Sequence, residues 1–233
     1  MRPLFTLDDR LQACADFVRD GARLVDVGTD HAYLPIYLAR SGKIKYAIAT
    51  DIKYAPLAIA QKNILKYGIK DMVEVRLSDG FSRIRQSEVD DIVISGMGGQ
   101  MIVQILDKCQ WIQDPSLHLI LQPMTADNVL REFLFTKKFQ IIKEVVVKSG
   151  NHVYAVMLAH FIGKEFVWSQ ADTYISKLDT SPYACEYLER QVKHLKNKKN
   201  DPRLDQDELE CTICEIVAHI SKQKSDIGGE PSG

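Results

Sequence analysis

The sequence predicts a doubly wound α/β fold, mostly parallel, closed by an antiparallel hairpin and followed by a small helical segment. Three observations carry this. The stretch from Leu24 to Leu38 runs apolar strand, glycine turn, amphipathic helix: Leu24-Val25-Asp26-Val27, then Gly28, then Tyr33 to Ala39. Four more strand–helix alternations follow, and right-handed crossovers make the first five strands parallel. Last, Phe139 to Lys148 and Val153 to His160 flank Ser149-Gly150-Asn151-His152, a plausible hairpin turn. A dinucleotide dehydrogenase would continue with a sixth parallel unit, so this Rossmann-like sheet departs from that plan at its end.

The elements read in order as follows. Leu7, Leu11, Cys14 or Ala15, and Val18 recur at helical spacing, predicting a helix over 7–20. Strand 23–27 and its helix follow, ended by Gly42. Lys45 to Thr50 is a second strand closed by Asp51. Pro56 to Lys66 is a second helix, with Pro56 suited to the first turn and Gly68 to the exit. Val73 to Leu77 and Asp91 to Ser95 are strands three and four, the latter running into Gly96-Met97-Gly98-Gly99. Met101 to Cys109 is a helix, Leu117 to Gln122 the fifth strand, and Asn128 to Phe135 the next helix. After Gly163 the apolar residues repeat at three and four: Trp168, Ala171, Ile175 and Leu178; Cys185, Leu188, Val192 and Leu195; Leu209, Ile213, Ile216 and Ile220. Such one-striped helices pair as an antiparallel hairpin and lean on the first domain. The expected boundaries are 1–162 for the α/β domain and 163–224 for the helical hairpin. A polar, glycine-rich tail at 225–233 is expected to be disordered.

Composition narrows the class. The 233 residues carry 30 basic and 31 acidic side chains, a net charge of −1, so bulk charge makes no case for nucleic acid or membrane; a local patch is still open. Five cysteines without framework spacing point to a reducing cytoplasm. Cys211 and Cys214 form a CxxC inside a helical pattern, which reads as packing of small apolar groups rather than zinc. The first residues lack the apolar core of a signal peptide, and no run of about 18 apolar residues would span a membrane.

The chemistry-bearing residues gather at expected strand ends. Gly28 gives the sharp turn, and a side chain there would meet a ligand or the turn itself. Asp51 stands where an acidic side chain accepts both hydroxyls of a ribose; it equally suits a turn or helix cap. Asp79, with Gly80, is placed to contact an adenine amino group or to close a turn. Asp26, inside an apolar strand, needs partners: turn amides or a ligand ammonium. After Gly28 come Thr29, Asp30 and His31, not the glycines that let a diphosphate approach a helix. Carboxylates beside this turn repel a diphosphate and suit a cationic ligand such as S-adenosylmethionine, with its sulfonium and ammonium. Gly96, Met97, Gly98 and Gly99 read as backbone beside the donor where a planar substrate comes close, or as a turn forced by packing.

These motifs, DVGTDHAYLP at 26–35, the Asp51 strand end, SDG at 78–80, ISGMGG at 94–99 and LQPM at 121–124, resemble the bacterial tRNA adenine-22 N1-methyltransferases. The resemblance covers residues 7–160 in motifs and the helical end in general plan. It implies a class I methyltransferase (Rossmann-like) sheet, a coiled-coil-like helical domain, S-adenosylmethionine as cofactor and tRNA as partner, with no metal. Carried over by position, Asp26, Gly28, Thr29, Asp51, Ile52, Asp79, Gly80 and Gly96 bind the donor. Asp30 and His31 shape the site chemically, or merely cap the Tyr33 helix. Met97, Gly98 and Gly99 lie where the acceptor base would come; Tyr33 is read either as stacking on a base or as packing half-buried. The Asn/Asp-Pro-Pro-aromatic loop of other adenine methyltransferases is absent, which argues against N6 chemistry. The turn at 149–152 is less acidic than the family's version.

Adenine N1 already holds an in-plane lone pair, so attack on the methyl needs no prior deprotonation. Placement and exclusion of water then suffice for most of the catalysis. A carboxylate, best Asp30, would answer the charge the ring gains. Phosphate contacts are expected from Lys193, Lys196, Lys198 and Lys199 with Arg190, a run that also suits a solvated helix face. Two other readings stay open at this level: a methyltransferase for a small molecule or protein, and a non-catalytic RNA- or protein-binding module. Oligomeric state is not legible.

Overall fold

The computed structural model describes residues 4–178, 182–199, 201–202 and 205–228. Seven strands form one sheet in the order β3-β2-β1-β4-β5-β7-β6. They are β1 (Ala22–Val27), β2 (Ile44–Asp51), β3 (Val73–Leu77), β4 (Asp91–Gly98), β5 (His118–Thr125), β6 (Phe139–Ser149) and β7 (His152–Phe161). The first five are parallel, with Val25 beside Ile48 on one side and Ile92 on the other. β7 inserts antiparallel between β5 and β6. The predicted hairpin is therefore present, its turn reduced to Gly150 and Asn151.

Helices α1 (Asp9–Phe17), α2 (Tyr33–Arg40) and α3 (Tyr54–Tyr67) cover one face, and α4 (Gly99–Asp107) and α5 (Asp127–Thr136) the other. Because both faces are covered, the central strands are apolar on both sides. Leu24, Val93, Ile120 and Val156 pack in one core. Their neighbours Val25, Ile92, Ile94, Leu119, Leu121 and Met157 pack in the other. Local signals set the helix ends. Asp8 caps α1 by accepting the Leu11 amide at 2.9 Å. Gly68 closes α3 at φ +70°, a left-handed conformation that a side chain resists. The expected helix 7–20 is the shorter α1.

The helical end departs from expectation in its first part. The stripe from Trp168 to Leu178 contains one turn of helix, α6 (Asp172–Ile175). The aromatic residues before it anchor an irregular connection instead: Phe166 and Trp168 stack against Phe135 of α5, at 5.4 and 5.7 Å between ring centres. Helices α7 (Pro182–Lys196) and α8 (Gln206–Gly228) pair antiparallel, with Glu189 salt-bridged to Lys224 and Lys199 to Glu210. Tyr187, Leu188, Val192 and Leu195 join Leu209, Ile213, Ile216 and Ile220 in the same core as α4 and α5. α8 runs to Gly228, past the point where a disordered tail was expected; 229–233 lie outside the described residues. Cys211 and Cys214 are exposed on α8, so the expectation that they pack in an apolar interior is corrected. Among the described residues no helix is long and apolar enough to cross a membrane.

One buried ionic cluster ties the helical pair to the sheet. Arg131 of α5 has no exposed surface. Its guanidinium donates to Glu144 of β6 at 2.5 and 3.0 Å, to the Thr173 carbonyl at 2.8 Å and to the Tyr187 hydroxyl of α7 at 2.8 Å. It also pairs with Asp127 at 3.3 Å.

Candidate functional site

Sheet order reverses at β1 and β4, so the crevice at their carboxyl ends is where this architecture opens for a ligand. Hydrogen bonds join the strand tips there in two groups, β1 with β2 and β3, and β4 with β5. Gly28 and Thr29 amides both donate to the Thr50 carbonyl at 2.8 Å, and the Ser78 amide to the Asp51 carbonyl at 3.0 Å. The Gly96 amide donates to the Gln122 side chain at 3.1 Å. The predicted donor-side residues Asp26, Gly28, Thr29, Asp51, Ile52, Asp79, Gly80 and Gly96 all stand on this one edge.

Gly28 has φ +76°, and a Cβ there would run into the end of the Met97 side chain. Met97, on β4, thus lies directly over the β1 turn. Asp26 is buried and accepts the Thr29 hydroxyl at 2.6 Å. Burial, and the nearby Asp51 charge, push its carboxyl up to about 6, against the Thr29 hydrogen bond. Asp51 accepts the Lys53 amide at 2.8 Å through Oδ1; among the described residues its other oxygen has no hydrogen bond. Ile52 and Asp79 are exposed.

The raised Asp26 value has a definite sign in stability. Between the ordinary 3.8 and about 6, the folded protein holds a proton that the unfolded chain releases. This contribution is therefore full below pH 4 and lost as pH rises through 6. It is worth about 3 kcal/mol between its limits. Melting curves from pH 5 to 8 should show Asp26→Asn gaining on the wild type as pH rises. Parallel curves would mean the carboxylate is not held at a cost.

Asp30 and Ala32 both take left-handed backbone, φ +52° and +60°. Ala32 is the residue that opens α2, with no side-chain cap. The reading of Asp30 and His31 as helix caps therefore fails. Instead Asp30 is exposed, with His31 Nε2 3.5 Å from its Oδ1. The Asn63 side chain of α3 donates to the His31 carbonyl at 3.0 Å and fixes the loop. Tyr33 is exposed, edge-on to His31 and to Phe5.

The glycine cluster divides. Gly96 has φ +77° and open space around it. Gly98 is half-buried, near the Thr125 hydroxyl. Gly99 is buried, and a Cβ on it would collide with the Ala126 carbonyl. Gly99 is thus required by the packing of α4 on the β5–α5 junction, and its expected place at the substrate surface is corrected. The expected fourth strand ends at Ser95, whereas β4 continues through Gly98.

Beside these tips lies a cleft of about 470 Å³ between the β5–α5 junction, the hairpin and α7. Thr125, Asn128, Tyr154, Arg190, His194 and Lys198 line it. Of the four predicted lysines only Lys198 reaches this wall. Lys193 and Lys196 are exposed on α7, and Lys199 is held by Glu210 at 2.6 Å. Arg190 donates to Glu186 at 2.7 Å and to the Asn151 carbonyl at 3.0 Å, which gives the 149–152 turn a structural partner on α7. Sequence reasoning missed Gln122, Asn63 and Thr50. Gln122 had a signal: it is a polar residue directly after the apolar run Leu119-Ile120-Leu121.

A parallel sheet with a terminal antiparallel hairpin and three carboxylates at the first three strand ends defines a methyltransferase of the Rossmann-like class. Residues 7–157 match the methyltransferase-domain family model. The chain is 36% identical over 153 residues to the tRNA (adenine(22)-N(1))-methyltransferase of Bacillus subtilis, covering 66% of this chain and 64% of that protein. It aligns over 91% of its length, and 100% of the other, with the Streptococcus pneumoniae putative tRNA (m1A22) methyltransferase in complex with S-adenosyl-L-methionine (30% identity, TM-score 0.80). It also aligns over 93%, and 99% of the other, with the M. capricolum TrmK structure in complex with S-adenosyl-homocysteine (26% identity, TM-score 0.77). The chain belongs to the bacterial tRNA (adenine-22-N1)-methyltransferase family.

Proposed function

We propose that this protein transfers the methyl group of S-adenosylmethionine to N1 of adenine 22 in tRNA. The observation that carries the reading is the sheet edge: buried Asp26 near the end of β1 and half-exposed Asp51 at the end of β2 stand beside a turn, GTDH, that has no diphosphate cradle. That set fits a cationic donor. When bound, S-adenosylmethionine supplies an electrophilic methyl on its sulfonium. Asp26 takes the ammonium, beside Gly28 and Thr29. Asp51 accepts the ribose hydroxyls, with Ile52 next to it. Asp79 and Gly80 border the adenine ring, and Gly96 closes the site.

On the acceptor side, Tyr33, Met97 and Gly98 bound the base. N1 attacks with its own lone pair, so the residues place the ring and keep water away. Asp30 faces the charge that develops on the ring, or receives an amino proton, and His31 orients it. The target's Watson–Crick edge must be freed first, at a cost of a few kcal/mol. The cleft beside the site, with Arg190, His194 and Lys198, receives the flanking phosphates; Lys193 and Lys196 extend the basic surface along α7, and Lys199, paired with Glu210, lies just beyond its end. The five free cysteines fit work in the reducing cytoplasm.

Replacing Asp51 with Ala should weaken donor affinity about 10- to 100-fold by titration calorimetry, with a smaller change in kcat. An unchanged affinity would remove Asp51 from the donor site. The direct test is methyl transfer from labelled S-adenosylmethionine to unmodified tRNA, with product nucleosides read by mass spectrometry. 1-Methyladenosine is expected. N6-methyladenosine, or donor binding with no transfer to any tRNA, would overturn the reading.

A further inference from the structure

Gln122 is the one fully buried amide at the strand tips, and every polar atom of it is used. Its Oε1 accepts the Gly96 amide at 3.1 Å and Arg10 Nη1 at 3.3 Å. Its Nε2 donates to the Pro123 carbonyl at 2.8 Å. Arg10, on α1, is itself held from three sides. It pairs with Asp8 at 2.8 Å, reaches Met124 Sδ at 3.2 Å and lies over the Tyr154 ring at 5.5 Å. A chain of contacts thus runs from the amino-terminal helix, through Arg10 and Gln122, to the peptide of Gly96. That peptide needs an external anchor. Gly96 sits at φ +77° with open space on the side a Cβ would take, and the β4–β5 register skips it, pairing Ser95 with Gln122 and Met97 with Pro123, so its amide bonds the Gln122 side chain instead. The next residue, Met97, lies over the Gly28 turn.

We propose that Arg10 and Gln122 are positioning residues for methyl transfer. Arg10 fixes the orientation of the Gln122 amide, and Gln122 fixes the Gly96–Met97 backbone that forms the wall between donor and acceptor. The proposal rests on the methyltransferase reading above. Its physical logic is that a fully satisfied buried amide has one orientation, whereas removal of one partner leaves it free to turn. A displacement of the wall by about 1 Å is enough to cost up to 10²-fold in rate. The donor's charged anchors, Asp26 and Asp51, stand on other strands, so displacing Gly96 should change donor affinity much less than it changes the rate.

The test is a double-mutant cycle of Arg10→Met and Gln122→Met, with Arg10→Lys as the conservative variant. The Met side chains keep length and apolar packing but lack the hydrogen bonds. Steady-state kinetics on tRNA, donor affinity by calorimetry and melting temperature are read together. Expected are a roughly tenfold loss of kcat for Arg10→Met, a partial recovery for Arg10→Lys, and donor affinity within about threefold of wild type. The double variant should be no slower than Gln122→Met alone, because both act through one peptide. Should Gln122→Met fail to fold, the Arg10 pair decides the matter on its own. A raised KM for tRNA with unchanged kcat in Arg10→Met would make Arg10 a phosphate contact and overturn the proposal. Additive losses in the double variant would overturn it as well. An inactive wild type would instead refute the methyltransferase reading, so the two failures are separable.

Discussion

Asp30→Asn should lower kcat for tRNA methylation by about 10²-fold while leaving donor affinity unchanged. Asparagine is the substitution of choice because residue 30 sits at φ +52°, a conformation asparagine tolerates better than alanine. The change thus removes charge and basicity with little strain. Asp30 does not cap α2, and its Oδ1 lies 3.5 Å from His31 Nε2. An exposed carboxylate held in left-handed backbone beside the donor crevice has no packing role to lose. Charge develops on the acceptor ring as N1 attacks, and a fixed anion next to it acts mainly in the transition state. That is why the loss should fall on kcat. A kcat within threefold of wild type would remove Asp30 from the chemistry and leave placement alone to drive the reaction.

Arg131→Met should cost about 3–5 kcal/mol of stability, the largest effect expected for any single change away from the site. The arginine is fully buried, and its removal strands the Glu144 carboxylate, which is buried too and already has one oxygen without a partner. Burial pushes the Glu144 carboxyl up even with Arg131 in place. The change also releases the Thr173 carbonyl and the Tyr187 hydroxyl, so α5, β6 and α7 lose their shared anchor. In thermal melts the midpoint should fall by about 10 °C. Adding Glu144→Leu should recover most of the loss, since an apolar pair avoids the stranded charge. If the single variant melts like wild type, the cluster contributes nothing net. If the double variant is as unstable as the single one, the cost lies in lost packing rather than in the carboxylate.

The fold was legible where periodicity and punctuation agree. Apolar strands ended by Gly28, Asp51, Asp79-Gly80 and Gly96 fall within a few residues of the observed tips. β3, Val73–Leu77, matches the expected bounds. The stripe from Trp168 to Leu178 misled because aromatic residues at helical spacing also serve a chain that crosses a helix irregularly, as Phe166 and Trp168 do on α5. That Asp26, Gly28, Asp51, Asp79 and Gly96 share one edge of the sheet was legible because polar residues and glycines coincide with the strand ends. Between the two readings open for Gly99, substrate surface or packing, local pattern could not choose, because its reason for being glycine is the Ala126 carbonyl, 27 residues on in sequence. The same holds for the Arg10–Gln122 contact, which joins residues 112 apart. Neither the cleft against α7 nor the distinction between Lys198 and its neighbours follows from charge pattern alone. A helix face is basic in sequence, but only the packing of α7 on the hairpin decides which cation faces the site.

The most direct measurement is methylation of two otherwise identical unmodified tRNAs, one with adenine at position 22 and one with guanine there, followed by position mapping of the label. A single 1-methyladenosine at position 22 in the first, and no label in the second, is the predicted result. Label at another nucleotide, or equal label in both, would contradict the assignment of adenine 22 as the substrate.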